Sequence, residues 1–93
     1  MPDPAAPSSR PRLAAGVRLT FDTRRGIWLL LCPERIIELD GPANEILSRC
    51  DGRRSVDEIV DDLVARFVAE RAVIEEDVRS MLAELAAKRL VQM

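Results

Sequence analysis

Three short apolar runs occupy the chain between Val17 and Leu39, and only the first of them alternates. Val17, Leu19 and Phe21 interleave with Arg18, Thr20 and Asp22, the period-two pattern of a half-buried strand over residues 17–21. The next run, Ile27–Leu31, is apolar at every position. Ile27, Leu29 and Leu31 would point to one face while Trp28, Leu30 and Cys32 point to the other, so each face calls for apolar cover. In the third run Ile37 and Leu39 share a face and Ile36 and Glu38 take the opposite one, which leaves Ile36 without an obvious internal partner. Helices can cover only one side of such a sheet comfortably. A small sheet with a second apolar side and an open edge is a docking surface for a ligand, unless the chain's own tail or another subunit fills it.

The turns between the runs are legible as well. Asp22-Thr23-Arg24-Arg25-Gly26 ends on a glycine that can take the left-handed conformation, closing an antiparallel hairpin. Pro33 cannot donate to a ladder, so Cys32-Pro33-Glu34-Arg35 breaks the apolar stretch and returns the chain as Ile36–Leu39. The pattern predicts a three-stranded antiparallel meander.

Beyond Leu39 the period changes to 3.6. Pro42, preceded by Asp40 and Gly41, signals a helix start, and Ala43, Ile46, Leu47 and Cys50 form its stripe before Gly52 stops it. Ser55-Val56-Asp57-Glu58 is a capping-box pattern that opens a second helix carrying Val56, Ile59, Val60, Leu63 and Phe67 on one side. Its acidic residues Asp57, Glu58, Asp61 and Asp62 read as a solvated face. A third helix carries Ile74, Val78, Met81, Leu82 and Leu85; Leu90 and Val91 beyond it fit either a short strand or a helix end. The expected fold class is α+β, winged helix-turn-helix-like, with a three-stranded antiparallel sheet followed by three helices.

Composition narrows the function. Ninety-three residues make one domain, with 32% charged and 47% apolar residues and a net charge of −2, the profile of an ordinary soluble protein. Residues 1–12 hold four of the six prolines and lack the apolar stretch of a signal peptide, so they are expected to form a disordered tail ahead of a folded unit at 13–93. No run approaches membrane-spanning length, and the expected location is cytoplasmic. Residues 55–93 carry five basic and nine acidic side chains, a poor complement for phosphates.

Candidate chemistry is sparse. There is no histidine and no tyrosine; the serines sit in the tail, at a helix cap or on a helix, and no base–nucleophile pair is visible. Cys32 and Cys50 lack the spacing and companions of a zinc site, and read as buried thiols. The four glycines are isolated, so no phosphate loop exists. The chain is expected to be no enzyme, to need no cofactor or metal, and to bind an extended peptide along a sheet edge.

Three segments carry a resemblance. Arg18-Leu19-Thr20-Phe21-Asp22, Leu30-Leu31-Cys32-Pro33-Glu34-Arg35-Ile36, and residues 47–59 from Leu47 through Cys50-Asp51-Gly52-Arg53-Arg54-Ser55-Val56 resemble the PqqD family of pyrroloquinoline quinone biosynthesis in order and spacing. The resemblance spans residues 13–91. It implies a peptide chaperone of the recognition-element type for ribosomally made, modified peptides. Such a protein holds the PqqA precursor peptide and presents it to PqqE, a radical S-adenosylmethionine enzyme that owns the iron–sulfur clusters and the nucleotide cofactor. The peptide would add a strand beside residues 35–39, in a groove shared with the third helix around 78–85. The residues implied are the backbone of Ile36, Ile37, Glu38 and Leu39, with Ile36 and Leu82 for apolar contact, Arg35 and Arg79 for peptide carboxylates, and Val78 in the same helical stretch. Ile37→Pro is then expected to weaken binding by removing a backbone donor. One departure stands at Lys88-Arg89-Leu90, where the family commonly ends its last helix on glycine. Two other readings share these elements: a winged-helix DNA-binding regulator, and a homodimer that pairs this edge strand with its own copy.

Overall fold

All three apolar runs become strands, and the structure, a computed structural model, describes residues 6–93. In chain order the elements are β1 Arg12–Leu13, β2 Arg18–Asp22, β3 Ile27–Leu31, β4 Ile36–Leu39, α1 Gly41–Leu47, α2 Val56–Arg66, α3 Arg71–Ala87 and β5 Val91–Gln92. Strands β2, β3 and β4 form the expected antiparallel meander in that order. A second, two-stranded sheet pairs β1 with β5; the sequence pattern did not predict it. The α+β class and the strand-then-helix order are as expected.

Pleating sorts the meander into two faces. Leu19, Leu30 and Ile37 lie in one cross-strand row, and Phe21, Trp28 and Leu39 in the next. This face meets the helices: Leu30 is fully buried, and Leu19, Ile37 and Leu39 pack against a core that includes Ile46, Ile59, Val60, Val78 and Leu82. Phe21 and Trp28 finish the row as an edge-to-face pair, ring centroids 5.2 Å apart. The opposite face holds Ile27, Leu29 and Leu31, all half-buried, beside the exposed Ile36. Helices therefore cover one side, and the Arg25–Glu38 ion pair spans the other.

Local chemistry fixes each helix end. Asp40 caps α1 by accepting from the Ala43 N–H at 2.8 Å. Ser55 and Glu58 complete the capping box of α2: the Ser55 hydroxyl accepts from the Glu58 N–H, and the Glu58 carboxylate accepts from the Ser55 N–H. That second bond holds the Glu58 carboxyl below its ordinary range. Helix α3 ends at Ala87 with Lys88 as its C-cap, after which Arg89 adopts φ 61°. The Leu90 N–H bonds back to the Leu85 carbonyl and the Arg89 N–H to that of Ala86, a Schellman ending that usually employs glycine. The missing glycine thus leaves the ending intact, with arginine in the left-handed position. Helix α1 stops at Leu47, short of Cys50.

Between α1 and α2 lies Arg49, only 6% exposed. Its guanidinium reaches the Asp62 carboxylate at 2.5 Å, the Glu45 carboxylate at 2.9 Å and the Glu45 carbonyl at 2.7 Å. Desolvation opposes its charge, but these partners outweigh burial and raise its pKa, and the same bond lowers that of Asp62.

The stretch expected as a tail differs from that reading. Residues 1–5 lie outside the described residues, but the carbonyls of Pro7, Ser9 and Pro11 accept from the N–H groups of Asp57, Val56 and Gly52 at 3.0, 2.8 and 2.9 Å. Pro11 is among the fully buried side chains. From Pro7 on, the chain is laid against the start of α2, and the folded unit extends N-terminal to residue 13.

Candidate functional site

The β3–β4 hairpin determines which backbone groups of β4 are available. Cys32 and Arg35 exchange N–H and C=O bonds in both directions across the two-residue loop Pro33-Glu34. In an antiparallel ladder such bonded pairs alternate with non-bonded ones. With Leu31 opposite Ile36, Leu30 opposite Ile37, Leu29 opposite Glu38 and Trp28 opposite Leu39, Ile37 and Leu39 direct their amides and carbonyls at β3. Ile36 and Glu38 direct theirs outward. Among the described residues β4 has no second neighbour in its sheet, so the outward row is a template for one more strand.

Two cavities locate α3 relative to this edge. At the β3–β4 turn, Cys32, Pro33, Glu34 and Arg35 share a cavity with Lys88 and Leu90. Past the end of β4, Gly41 and Pro42 share another with Ile74, Asp77 and Val78. Helix α3 therefore runs antiparallel to β4, its late turns beside Arg35 and its early turns beside Leu39. At about 100° per residue, Asp77, Met81, Glu84 and Lys88 lie along one flank of the helix. Because the cavities contain Asp77 and Lys88, that flank is the one facing the edge strand.

The residues singled out from sequence separate accordingly. Arg35 lies at the β3–β4 turn, and of residues 36–39 only Ile36 and Glu38 turn their backbone groups outward, those of Ile37 and Leu39 being directed at β3. Ile36, 65% exposed, points to the open sheet face, away from α3, because the pleat sends it opposite to Ile37. Leu82 and Val78 have no exposed surface; both belong to the core, and Val78 also lines the cavity past Leu39. Ile36 and Leu82 are therefore not brought together. Arg79 is on the far flank of α3 with Glu75, Glu76 and Ser80, not beside β4. Ile37 donates inward, so Ile37→Pro would break the sheet before it tested binding.

The sequence reading of the groove around 78–85 includes Met81 and Glu84 but not Asp77 or Lys88. Met81 is half-buried and packed on the core, while Lys88 bonds Glu84 at 3.2 Å. The Arg35 and Lys88 end of the groove therefore carries mixed charge, since Glu34 lines the same cavity and Glu84 is bonded to Lys88, while Asp77 makes the other end acidic. A spacing of four, three and four from Asp77 to Lys88 was the available signal, but choosing this flank over that of Arg79 requires knowing how the helix is seated.

Neither thiol adds chemistry. Cys50 is buried and its pKa is pushed up to about 12, chiefly by desolvation, so it stays protonated and inert. Cys32 is half-buried, with Sγ 3.8 Å from the Leu30 carbonyl. Among the described residues, no group of three or more His, Cys, Asp or Glu side chains could hold a metal ion. No helix among them is long and apolar enough to cross a membrane.

Comparison with known proteins places this geometry. The family model "Coenzyme PQQ synthesis protein D (PqqD)" matches residues 28–91. A PqqA binding protein of Xanthomonas oryzae pv. oryzae (strain PXO99A) is 46% identical over 84 residues, covering 90% of this chain and 91% of that protein. The solution structure of the PqqD truncation of Methylobacterium extorquens PqqCD, described as a functional and stand-alone recognition element for ribosomally synthesized, modified peptides, superposes with a TM-score of 0.79. It is 42% identical and covers 99% of this chain and 100% of that one. TbiB1 in complex with the TbiA(beta) leader peptide superposes with a TM-score of 0.73 at 26% identity, over 86% of this chain and 93% of that one. On the extent of the family match and the identity to these relatives, the chain belongs to the PqqD family.

Proposed function

We propose that this chain is a non-catalytic peptide chaperone that binds a PqqA precursor peptide by strand addition to β4 and presents it to the radical S-adenosylmethionine enzyme PqqE, in the cytoplasm. The observation that carries the reading is the outward row of N–H and C=O groups on Ile36 and Glu38, beside a helical flank that can read side chains. Guest residues opposite Ile37 and Leu39 would turn their side chains toward Met81 and Asp77, while those opposite Ile36 and Glu38 would turn theirs to the open face. Arg35 at one end would meet an acidic residue in the guest, Lys88 being bonded to Glu84. The relatives named for binding PqqA, and the leader-peptide complex of TbiB1, support the same assignment.

Titration of 15N-labelled protein with a synthetic PqqA precursor peptide tests it. The amides of Ile36 and Glu38 should shift most, with Met81 following. Shifts confined to residues 6–13, or none at saturating peptide, would overturn the reading. Pairing of β4 with a second copy would show instead as a dimer that the peptide dissociates. The exposed Asp57 and Asp61 of α2 and Glu76 and Asp77 of α3 are a poor complement for nucleic-acid phosphates.

A further inference from the structure

The cavity past the end of β4 is more than a seam between helices. It measures about 420 Å³, within the range of small-molecule and side-chain pockets. Its walls are largely apolar, with Ile46 from α1, Leu63 from α2, Phe67 at the end of α2, and Ile74 and Val78 from α3. Its mouth is open: Gly41, Pro42 and Ala69 are exposed, Phe67 is 46% exposed, and a Cβ built on Gly41 would meet nothing within 4 Å. Asp77 stands at the rim beside Val78, and Glu45, tied to Arg49, completes the polar part.

Position gives the cavity its occupant. A guest strand running along β4 toward Leu39 leaves the sheet where Asp40 turns the chain into α1. Strand residues advance about 3.3 Å each and alternate faces, so the guest residue two places beyond the one opposite Leu39 lies about 7 Å further on. That residue carries its side chain on the same face as those opposite Ile37 and Leu39. It arrives level with Gly41 and Pro42, over the mouth.

We infer that this cavity is a second subsite for the same guest peptide, taking a large aliphatic or aromatic side chain two positions past the residue paired with Leu39, with a basic residue at the Leu39-paired position facing Asp77. The subsite rests on the strand-addition reading and extends it, because it gives the guest a register. Backbone pairing alone can slip by two residues without changing faces. An apolar anchor at one end fixes which two guest residues face Met81.

Methyl-labelled protein (Ile, Leu and Val), titrated with the synthetic PqqA peptide, separates the two layers of the argument. The expected result is that methyls of Ile46, Leu63, Ile74 and Val78 shift along with those of Ile37 and Leu39, all fitting one Kd. In parallel, Ala69→Trp should fill the mouth and weaken binding roughly tenfold, while the edge amides still shift as in the parent protein. If the Ile37 and Leu39 methyls move and those of the cavity do not, the subsite is wrong and strand addition stands. If neither set moves, strand addition fails and the subsite falls with it. The titration of the parent protein decides the matter even where the tryptophan variant folds poorly.

Discussion

Arg89 holds a φ of 61°, a region where a side chain costs about 1–2 kcal/mol and glycine costs little. The Schellman bonds of Leu90 and Arg89, together with the burial of Leu90, hold it there. Arg89→Gly should therefore stabilise the protein by about 1 kcal/mol, raising Tm by roughly 4–8 °C for a domain of this size. Thermal melting by circular dichroism measures it; an unchanged or lower Tm would mean that the guanidinium contributes more than its backbone costs. Elsewhere at this scale the sequence was only partly informative. Ser55 and Glu58 announced their capping box by spacing alone, because both partners lie within one turn. Arg49 gave no such sign, since one of its carboxylates, Asp62, is thirteen residues away and is found only when α1 and α2 pack.

At the level of the strand, parity decides what a substitution tests. Glu38→Pro removes an N–H that points away from β3, and proline is tolerated on an edge strand in that orientation. The ladder bonds of Ile37 and Leu39 remain, so the fold should survive with a Tm close to that of the parent. Affinity for the PqqA peptide should fall roughly fivefold, the loss of one backbone hydrogen bond of about 1 kcal/mol. Calorimetric titration measures this, with Glu38→Ala as the control that removes the ion pair to Arg25 but keeps the amide. Equal affinities for the two variants would show that the guest does not use this donor. Ile37→Pro, which the sequence pattern alone recommended, should instead cost stability. The strands and their turns were legible because the short apolar runs, the alternation of the first of them, Gly26 and Pro33 are local signals. The seating of α3 was not: Asp77 and Arg79 differ by about 200° around the helix, and both are charged residues next to the apolar stripe, so only packing tells which of them faces β4.

For the whole molecule, a chain this short buries a modest core, and the segment before β2 adds to it in a way composition concealed. Prolines suggested a tail; yet the carbonyls of Pro7, Ser9 and Pro11 accept from the N–H groups of Asp57, Val56 and Gly52. The two-residue strands β1 and β5 were equally hidden, being too short to show a period and joined across nearly the full length of the chain. Removing residues 1–12 should delete these three bonds, the burial of Pro11 and one residue of the β1–β5 pair, and so lower stability by about 3 kcal/mol and Tm by more than about 10 °C. Thermal melting of the shortened chain measures the loss, and a Tm within about 2 °C of the parent would show that the segment adds nothing to stability. The described part of the segment lies against the start of α2 and beside β5, not on β4. At a temperature where both forms are folded, the shortened chain should therefore bind the PqqA peptide with the parent's affinity. A markedly tighter Kd would mean that residues 1–12 compete with the guest for the sheet edge, turning a structural brace into an occupant of the site.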